Sequence, residues 1–356
     1  MEISKLIRKN IKKLAPYSTA RDEAKSNLSD DTKNEVPISV YLDANENPNE
    51  TEYNRYPDPY QNKLKAIISK LKDCPAENIF LGNGSDEAID LIFRIFCTPG
   101  KDKVIAIKPS YGMYKVCADI NDVECIEVAL EKNFALNAEK ILDHVNPDVK
   151  VIFLCSPNNP SGNLLKRTEV EKILLSFDGI VVLDEAYIDF ADDKGFLPSL
   201  DKYSNLIVLQ TLSKAWGMAG LRLGMAFASI EIIHYFNKVK YPYNLGKATQ
   251  YEVVQQFKKY YLTKEEEIKE IIKNRDALIF SLDEIDYIKK VYPSDANFIL
   301  IKVEDATKLY KYLIRKGGIL VRNRTSIYGC ENCLRISIGT DDENEKLLYL
   351  LYSYTR

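Results

Sequence analysis

Gly179-Ile180-Val181-Val182-Leu183-Asp184-Glu185 carries four apolar residues that stop on two carboxylates. A run without polar alternation suits a strand covered on both faces, as inside a mostly parallel sheet. Residues 78–81, 104–107, 151–155 and 206–209 are runs of the same kind. They end in Gly82-Asn83-Gly84-Ser85, Pro109-Ser110-Tyr111, Ser156-Pro157-Asn158-Asn159-Pro160 and Gln210-Thr211. Between the runs, apolar residues fall at helical spacing, as in Ala88, Ile89, Ile92, Phe93 and Phe96. Strand–helix alternation over residues 41–245 predicts a large α/β domain, a mostly parallel sheet flanked by helices.

Residues 251–280 read as one long charged helix. Strands at 297–303, 319–322 and 334–339, with helices at 306–316 and from 342 onward, make residues 246–356 a smaller α+β domain. At the start, Ile3, Leu6, Ile7, Ile11 and Leu14 lie at helical spacing in a basic stretch, which predicts a helical arm within residues 1–40, with a polar loop at 26–35. No apolar signal core or small-residue cleavage site follows it.

Two domains also suit a chain of 356 residues, at about 150 residues each. Lys and Arg number 49 against 52 Asp and Glu, so the net charge of −3 offers no basic field for nucleic acid. Apolar runs such as 151–155 are about a quarter of the roughly 20 residues that a membrane span needs. Seven cysteines, an odd number, argue against a disulfide framework and for a reducing, cytoplasmic setting. Cys330-x-x-Cys333 lacks a second ligand pair, and His144 and His234 are isolated, so no metal site is expected.

In open α/β sheets ligands bind beyond the carboxyl ends of the strands. This chain places Gly84-Ser85-Asp86, Tyr111, Asn159, Asp184, Tyr187 and Ser213-Lys214 there. Ser85 either caps an ordinary helix or opens an anion site at a helix N-terminus. Asp184 is either a turn aspartate or a counter-charge for a protonated ring nitrogen. Lys214, among small and apolar residues, either snorkels or is a desolvated amine nucleophile, and Arg222 offers a fork for a phosphate. Taken together, an amine, a carboxylate, donors for a ring oxygen (Tyr187, Asn159) and a phosphate cradle are what pyridoxal 5'-phosphate requires.

Ser156-Pro-Asn-Asn-Pro-Ser-Gly162, Asp184-Glu-Ala-Tyr187 and Ser213-Lys-Ala-Trp-Gly-Met-Ala-Gly-Leu-Arg222 resemble motifs of the fold-type I pyridoxal-phosphate aminotransferases. Leu14-Ala-Pro-Tyr17, Asp43-Ala-Asn-Glu-Asn-Pro48, Arg55-Tyr-Pro57, Val321-Arg-Asn-Arg324 and Cys333-Leu-Arg-Ile-Ser-Ile-Gly-Thr340 are closer to the histidinol-phosphate aminotransferase family within them. The similarity runs from about residue 14 to 345, and Ser161 stands where that family usually has threonine.

The resemblance implies an aspartate-aminotransferase-like fold and a homodimer. It also implies transamination of L-histidinol phosphate with 2-oxoglutarate in histidine biosynthesis. Alternatives on the same scaffold are a decarboxylase of phosphorylated threonine or serine and an aromatic amino-acid aminotransferase. Lys214 would hold the cofactor covalently and move the substrate's proton, Asp184 would pair with the ring nitrogen, and Tyr111 would stack on the ring. Asn159 and Tyr187 would bond its oxygen. Ser85, Asp86, Ser213 and Arg222 would hold the phosphate, with Tyr56 from the other subunit. Arg335 and Arg322 would bind the anionic end of the substrate, with Tyr17, Asn45 and Tyr243 nearby.

Overall fold

The apolar runs pair side by side into one sheet, which satisfies their backbone while burying both faces. The computed structural model describes residues 2–18 and 39–355. Its strands β1 (Ile79–Asn83), β2 (Lys103–Lys108), β3 (Glu124–Ala129), β4 (Val149–Cys155), β5 (Ile180–Asp184), β6 (Leu206–Thr211) and β7 (Leu223–Ala228) lie in the order β1-β7-β6-β5-β4-β2-β3. β7 runs antiparallel to both neighbours, and the contiguous pairs from β6 to β3 are parallel.

Pleating divides this sheet between two apolar cores. Val181 and Leu183 of β5 enter one core, Ile180 and Val182 the other, and β4 and β6 alternate in the same way. The helices are α1 (Lys9–Lys13), α2 (Asn62–Lys72), α3 (Ser85–Phe96), α4 (Met113–Ile120), α5 (Ala138–Leu142), α6 (Arg167–Ser176), α7 (Ile230–Val239), α8 (Lys247–Tyr260), α9 (Lys264–Asp283), α10 (Ala306–Gly317) and α11 (Asp341–Tyr352). The apolar faces of α3, α4 and α7 cover the Val182 side, and those of α2, α5, α6 and α8 cover the other.

A second, antiparallel sheet follows, β10-β11-β9-β8, from β8 (Ile288–Val291), β9 (Phe298–Val303), β10 (Arg322–Asn323) and β11 (Cys333–Ser337). Its pleat also has two destinations. Ile299, Ile301, Leu334 and Ile336 pack with α9, α10 and α11, whereas Phe298, Leu300 and Cys333 join a core of the large sheet.

Several elements differ from the sequence reading. The arm is a 3-10 turn at Ile3–Lys5 and the short α1, because extended Arg8 donates its N–H to the Ile95 carbonyl (3.0 Å) and its guanidinium to the Arg94 carbonyl (2.9 Å). Ile3, Ile7 and Ile11 are buried all the same, while Leu14 is exposed. The long helix is two, α8 and α9, separated at residues 261–263. The strand at 319–322 shrinks to β10, and β3, β7 and β8 are strands the runs did not announce. The polar loop at 26–35 lies outside the described residues.

Candidate active site

Because β2, β4, β5 and β6 are parallel, their carboxyl ends meet on one side of the sheet, and antiparallel β7 starts there. A cleft opens at that edge. Ser85 and Asp86 follow β1, Tyr111 follows β2, Asn159 follows β4, and Tyr187, Ser213 and Lys214 follow β5 and β6; with Asp184 and Arg222 they all line it. The fold therefore gathers ten of the residues read from sequence, counting Gly84, into one cavity.

Asp184 ends β5 on the pleat of Ile180 and Val182, so its side chain enters the core that holds Tyr114. The Tyr114 hydroxyl donates to Asp184 Oδ2 (2.7 Å), and the Ala186 N–H donates to Oδ1 (3.1 Å). Burial raises the carboxyl's pKa, these donors and, less strongly, more distant Lys214 hold it back, and it comes to rest at about 6. Tyr114 stacks on Phe153 (5.0 Å between centroids), which fixes the phenol. Sequence reading missed it, since a tyrosine in an apolar helix looks like ordinary core.

Lys214 opens into the cleft with Nζ 5.6 Å from the centroid of the Tyr187 ring. Its pKa is lowered, first by desolvation between the walls and next by the Arg335 charge. A lowered pKa enriches the neutral amine, the nucleophilic form. Asn159 Nδ2 lies 3.5 Å from the Tyr187 hydroxyl, and Arg335 Nη1 donates to Asn159 Oδ1 (2.5 Å). A guanidinium only donates, so this bond fixes the amide oxygen toward Arg335 and turns the Nδ2 donors toward the cleft.

At the other end, α3 starts at Ser85, where the first N–H groups lack intrahelical partners. Arg222 takes the left-handed conformation (φ 55°), with its carbonyl receiving the Gly84 N–H (2.7 Å). Its guanidinium lies 3.5 Å from Asp86 Oδ2, and Tyr111 donates to Asp86 Oδ1 (3.0 Å). The Asp86 carboxylate is thus engaged by one cation and one phenol, which leaves backbone N–H groups to face an anion. Glycine is required here: Gly84 sits at φ 76°, which strains any side chain, and a Cβ on Gly224 would overlap the backbone of Gly84 and Ser85. Thr211 Oγ1 and Ser213 Oγ are 3.0 Å apart beside it.

The site fits pyridoxal phosphate: a depressed amine, a buried carboxylate, an oriented amide with a phenol, and a glycine-lined helix N-terminus beside an arginine. Arg335 stands at its margin, over the Phe298 ring (5.1 Å), and Arg322 is its register partner across β10 and β11. Tyr17, Asn45, Tyr56 and Tyr243 do not line the cleft in one copy of the chain. Tyr56 is half exposed and stacks on Tyr243 (4.5 Å), while Glu46 anchors the Tyr56 N–H (2.7 Å) and Arg55 (2.7 Å). Among the described residues no histidine, cysteine and carboxylate cluster could hold a metal, and no helix is long and apolar enough to cross a membrane.

Comparison with known proteins agrees with this geometry. The family model for aminotransferase class I and II matches residues 24–351. The histidinol-phosphate aminotransferase of Bacteroides thetaiotaomicron is 53% identical over 352 residues, 99% of each chain. The crystal structure of the histidinol-phosphate aminotransferase from Clostridium acetobutylicum superposes with a TM-score of 0.77 at 28% identity, covering 84% of this chain and 90% of that one. The histidinol-phosphate aminotransferase from Sinorhizobium meliloti, solved in complex with pyridoxal 5'-phosphate, shares the fold (TM-score 0.75, 21% identity, 84% and 83% covered). With a match across nearly its whole length, the chain belongs to the class I and II aminotransferases.

Proposed function

We propose that this chain transfers the amino group of L-histidinol phosphate to 2-oxoglutarate, giving imidazole acetol phosphate and L-glutamate, in histidine biosynthesis. One observation carries the reading: a desolvated lysine and a buried aspartate share a cleft, and Arg335, bonded to the Asn159 of its wall, makes no ion pair among the described residues. The relative with 53% identity over 99% of both chains supports the substrate.

When bound, pyridoxal phosphate supplies an electron sink for the charge left as a proton departs from the amine-bearing carbon. Lys214 Nζ attaches the cofactor and then carries that proton from the substrate. Asp184 supplies the negative charge that keeps the ring nitrogen protonated, and Tyr114 keeps Asp184 charged and aimed. Asn159 and Tyr187 donate to the ring oxygen, and Tyr111 covers the ring face. The first turn of α3 (Ser85, Asp86), Ser213 and Arg222 bind the phosphate. Arg335 and Arg322 orient the anionic end of the substrate, with Tyr17, Asn45 and Tyr243 completing its surroundings.

In this reading the enzyme is a cytoplasmic homodimer, with Tyr56 reaching the cofactor phosphate from a second copy. The exposed rings of Tyr53 (64%) and Tyr56 (50%), with Leu42 (88%), support such an interface.

A panel of amino donors offered with 2-oxoglutarate, following glutamate and carbon dioxide together, tests the assignment. Histidinol phosphate should give glutamate and no gas. Gas without glutamate would replace the reading with decarboxylation of a phosphorylated amino acid.

A further inference from the structure

Val321-Arg-Asn-Arg324 holds an arginine that the proposed reaction leaves without a task. Arg322 and Arg335 are direct partners in the β10–β11 register, and Arg324 extends the same edge by donating its N–H to the Cys333 carbonyl (2.9 Å). Residues two apart on a strand share a face, so Arg322, Arg324 and Arg335 lie on one side of the small sheet. That side is turned to the large sheet, since Cys333 and Phe298 pack into the core there and Leu334 and Ile336 pack the opposite way.

Like charges directly opposite on a sheet destabilise it unless something neutralises them. Among the described residues the arginine ion pairs fall on Arg55, Arg94, Arg167, Arg222 and Arg275, and on none of these three. Arg335 bonds only to a neutral amide, Asn159. Arg324 is half-buried, its Nε is sealed from solvent without a partner, and the neighbouring Thr325 Oγ1 is in the same state. Desolvation and then the charges of Arg335 and Arg322 pull the Arg324 pKa down to about 10, a sign that the three groups feel one another. Arg335 bonds to Asn159, a residue of the cleft wall, which places the cluster beside the cleft.

We infer that Arg324 is a third arm of the anion site, a specificity-determining residue that selects a phosphate monoester dianion over a carboxylate at the far end of the substrate. The inference rests on the phosphorylated amino donor proposed above. A carboxylate has two oxygens and one charge, and two guanidinium forks satisfy it. A phosphate monoester brings a further oxygen and close to two charges at neutral pH. Arg324, with donors unspent, matches that difference.

The test is calorimetric titration of the holoenzyme with imidazolylpropyl phosphate, which has the phosphate but no amine to react, and with the corresponding bare alcohol. Arg324→Gln should weaken the phosphate probe by about 10-fold or more, as expected for a lost charge-assisted bond, and Arg324→Lys should recover part of it. The bare alcohol should change by no more than about twofold. Unloaded Arg324→Gln should melt no lower than wild type, because the substitution relieves repulsion.

Phosphate binding within about twofold of wild type in Arg324→Gln, alongside a loss in Arg335→Gln, would overturn the third arm while leaving the phosphorylated donor intact. Equal losses for both probes with a lowered melting temperature would make Arg324 structural and overturn the inference. Wild-type enzyme that holds the phosphate probe no better than the alcohol would overturn the donor assignment and the inference together.

Discussion

Asp184 carries a charge that the folded chain meets with two hydrogen-bond donors and no ion pair among the described residues. Its amide replacement keeps the shape and removes the counter-charge. Asp184→Asn should lower turnover by about 10²-fold or more, the usual scale for losing electrostatic stabilisation in a dry site. Stability moves the other way. The folded pKa of about 6 lies above the ordinary 3.8, so as pH rises the unfolded chain releases this proton first. The contribution is therefore present below about pH 4 and lost by about pH 6. Unloaded Asp184→Asn should melt above unloaded wild type near pH 7.5 and level with it near pH 4; melting lower at both would mark Asp184 as a packing residue. Tyr114→Phe removes a donor to the charged form, so Asp184 should titrate higher still. Equilibrium dialysis should then show cofactor affinity falling more near pH 6.5 than near pH 8.5. A loss uniform in pH would instead indicate disturbed packing around Phe153.

At the level of elements, the approach of α3 to β7 sets the end of the cleft proposed to take the cofactor phosphate. Gly224→Ala inserts a methyl group against the backbone of Gly84 and Ser85, where nothing flexible can yield. Overpacking of this kind costs roughly 1–3 kcal/mol, and the helix N-terminus must shift as well. The variant should melt earlier and release its cofactor faster on gel filtration; cofactor retention equal to wild type would show that the contact does not position the cradle.

The same two elements show what was legible beforehand. β5, β4 and β6 announce themselves because uninterrupted apolar runs mark strands buried on both faces. The residues just beyond them were readable as a site for the same reason. β7 has Gly224, Ala226 and Ala228 where such a run would carry branched side chains, and β3 and β8 carry Glu124, Glu127, Lys289 and Lys290 at or near sheet edges. Residues 261–263 break a helix without glycine or proline. Tyr114 meets Asp184 from 70 residues away, a pairing that no local pattern encodes.

On the scale of the whole molecule, Arg335 ties the two sheets together, reaching from β11 to the loop after β4. Arg335→Ala should lower kcat/KM for histidinol phosphate by roughly 10²-fold, from the lost anion contacts and the freed Asn159 amide. Unphosphorylated histidinol should change far less; equal losses for both donors would mean that Arg335 serves Asn159 alone. The loop at 158–162 is held from both directions. Gly162 donates its N–H to the Asn158 carbonyl (2.7 Å) and receives the Asp295 N–H (2.8 Å), and the Asp295 carboxylate receives the Leu164 N–H (2.8 Å). Ser294 packs so closely on Gly162 that no side chain fits between them. The cofactor pocket is lined by the large domain alone, yet the small sheet holds its Asn159 wall in place. Separating the sheets would free that wall, so heating the loaded enzyme should discharge its colour and its helical ellipticity in one cooperative step, with no coloured, half-melted species between.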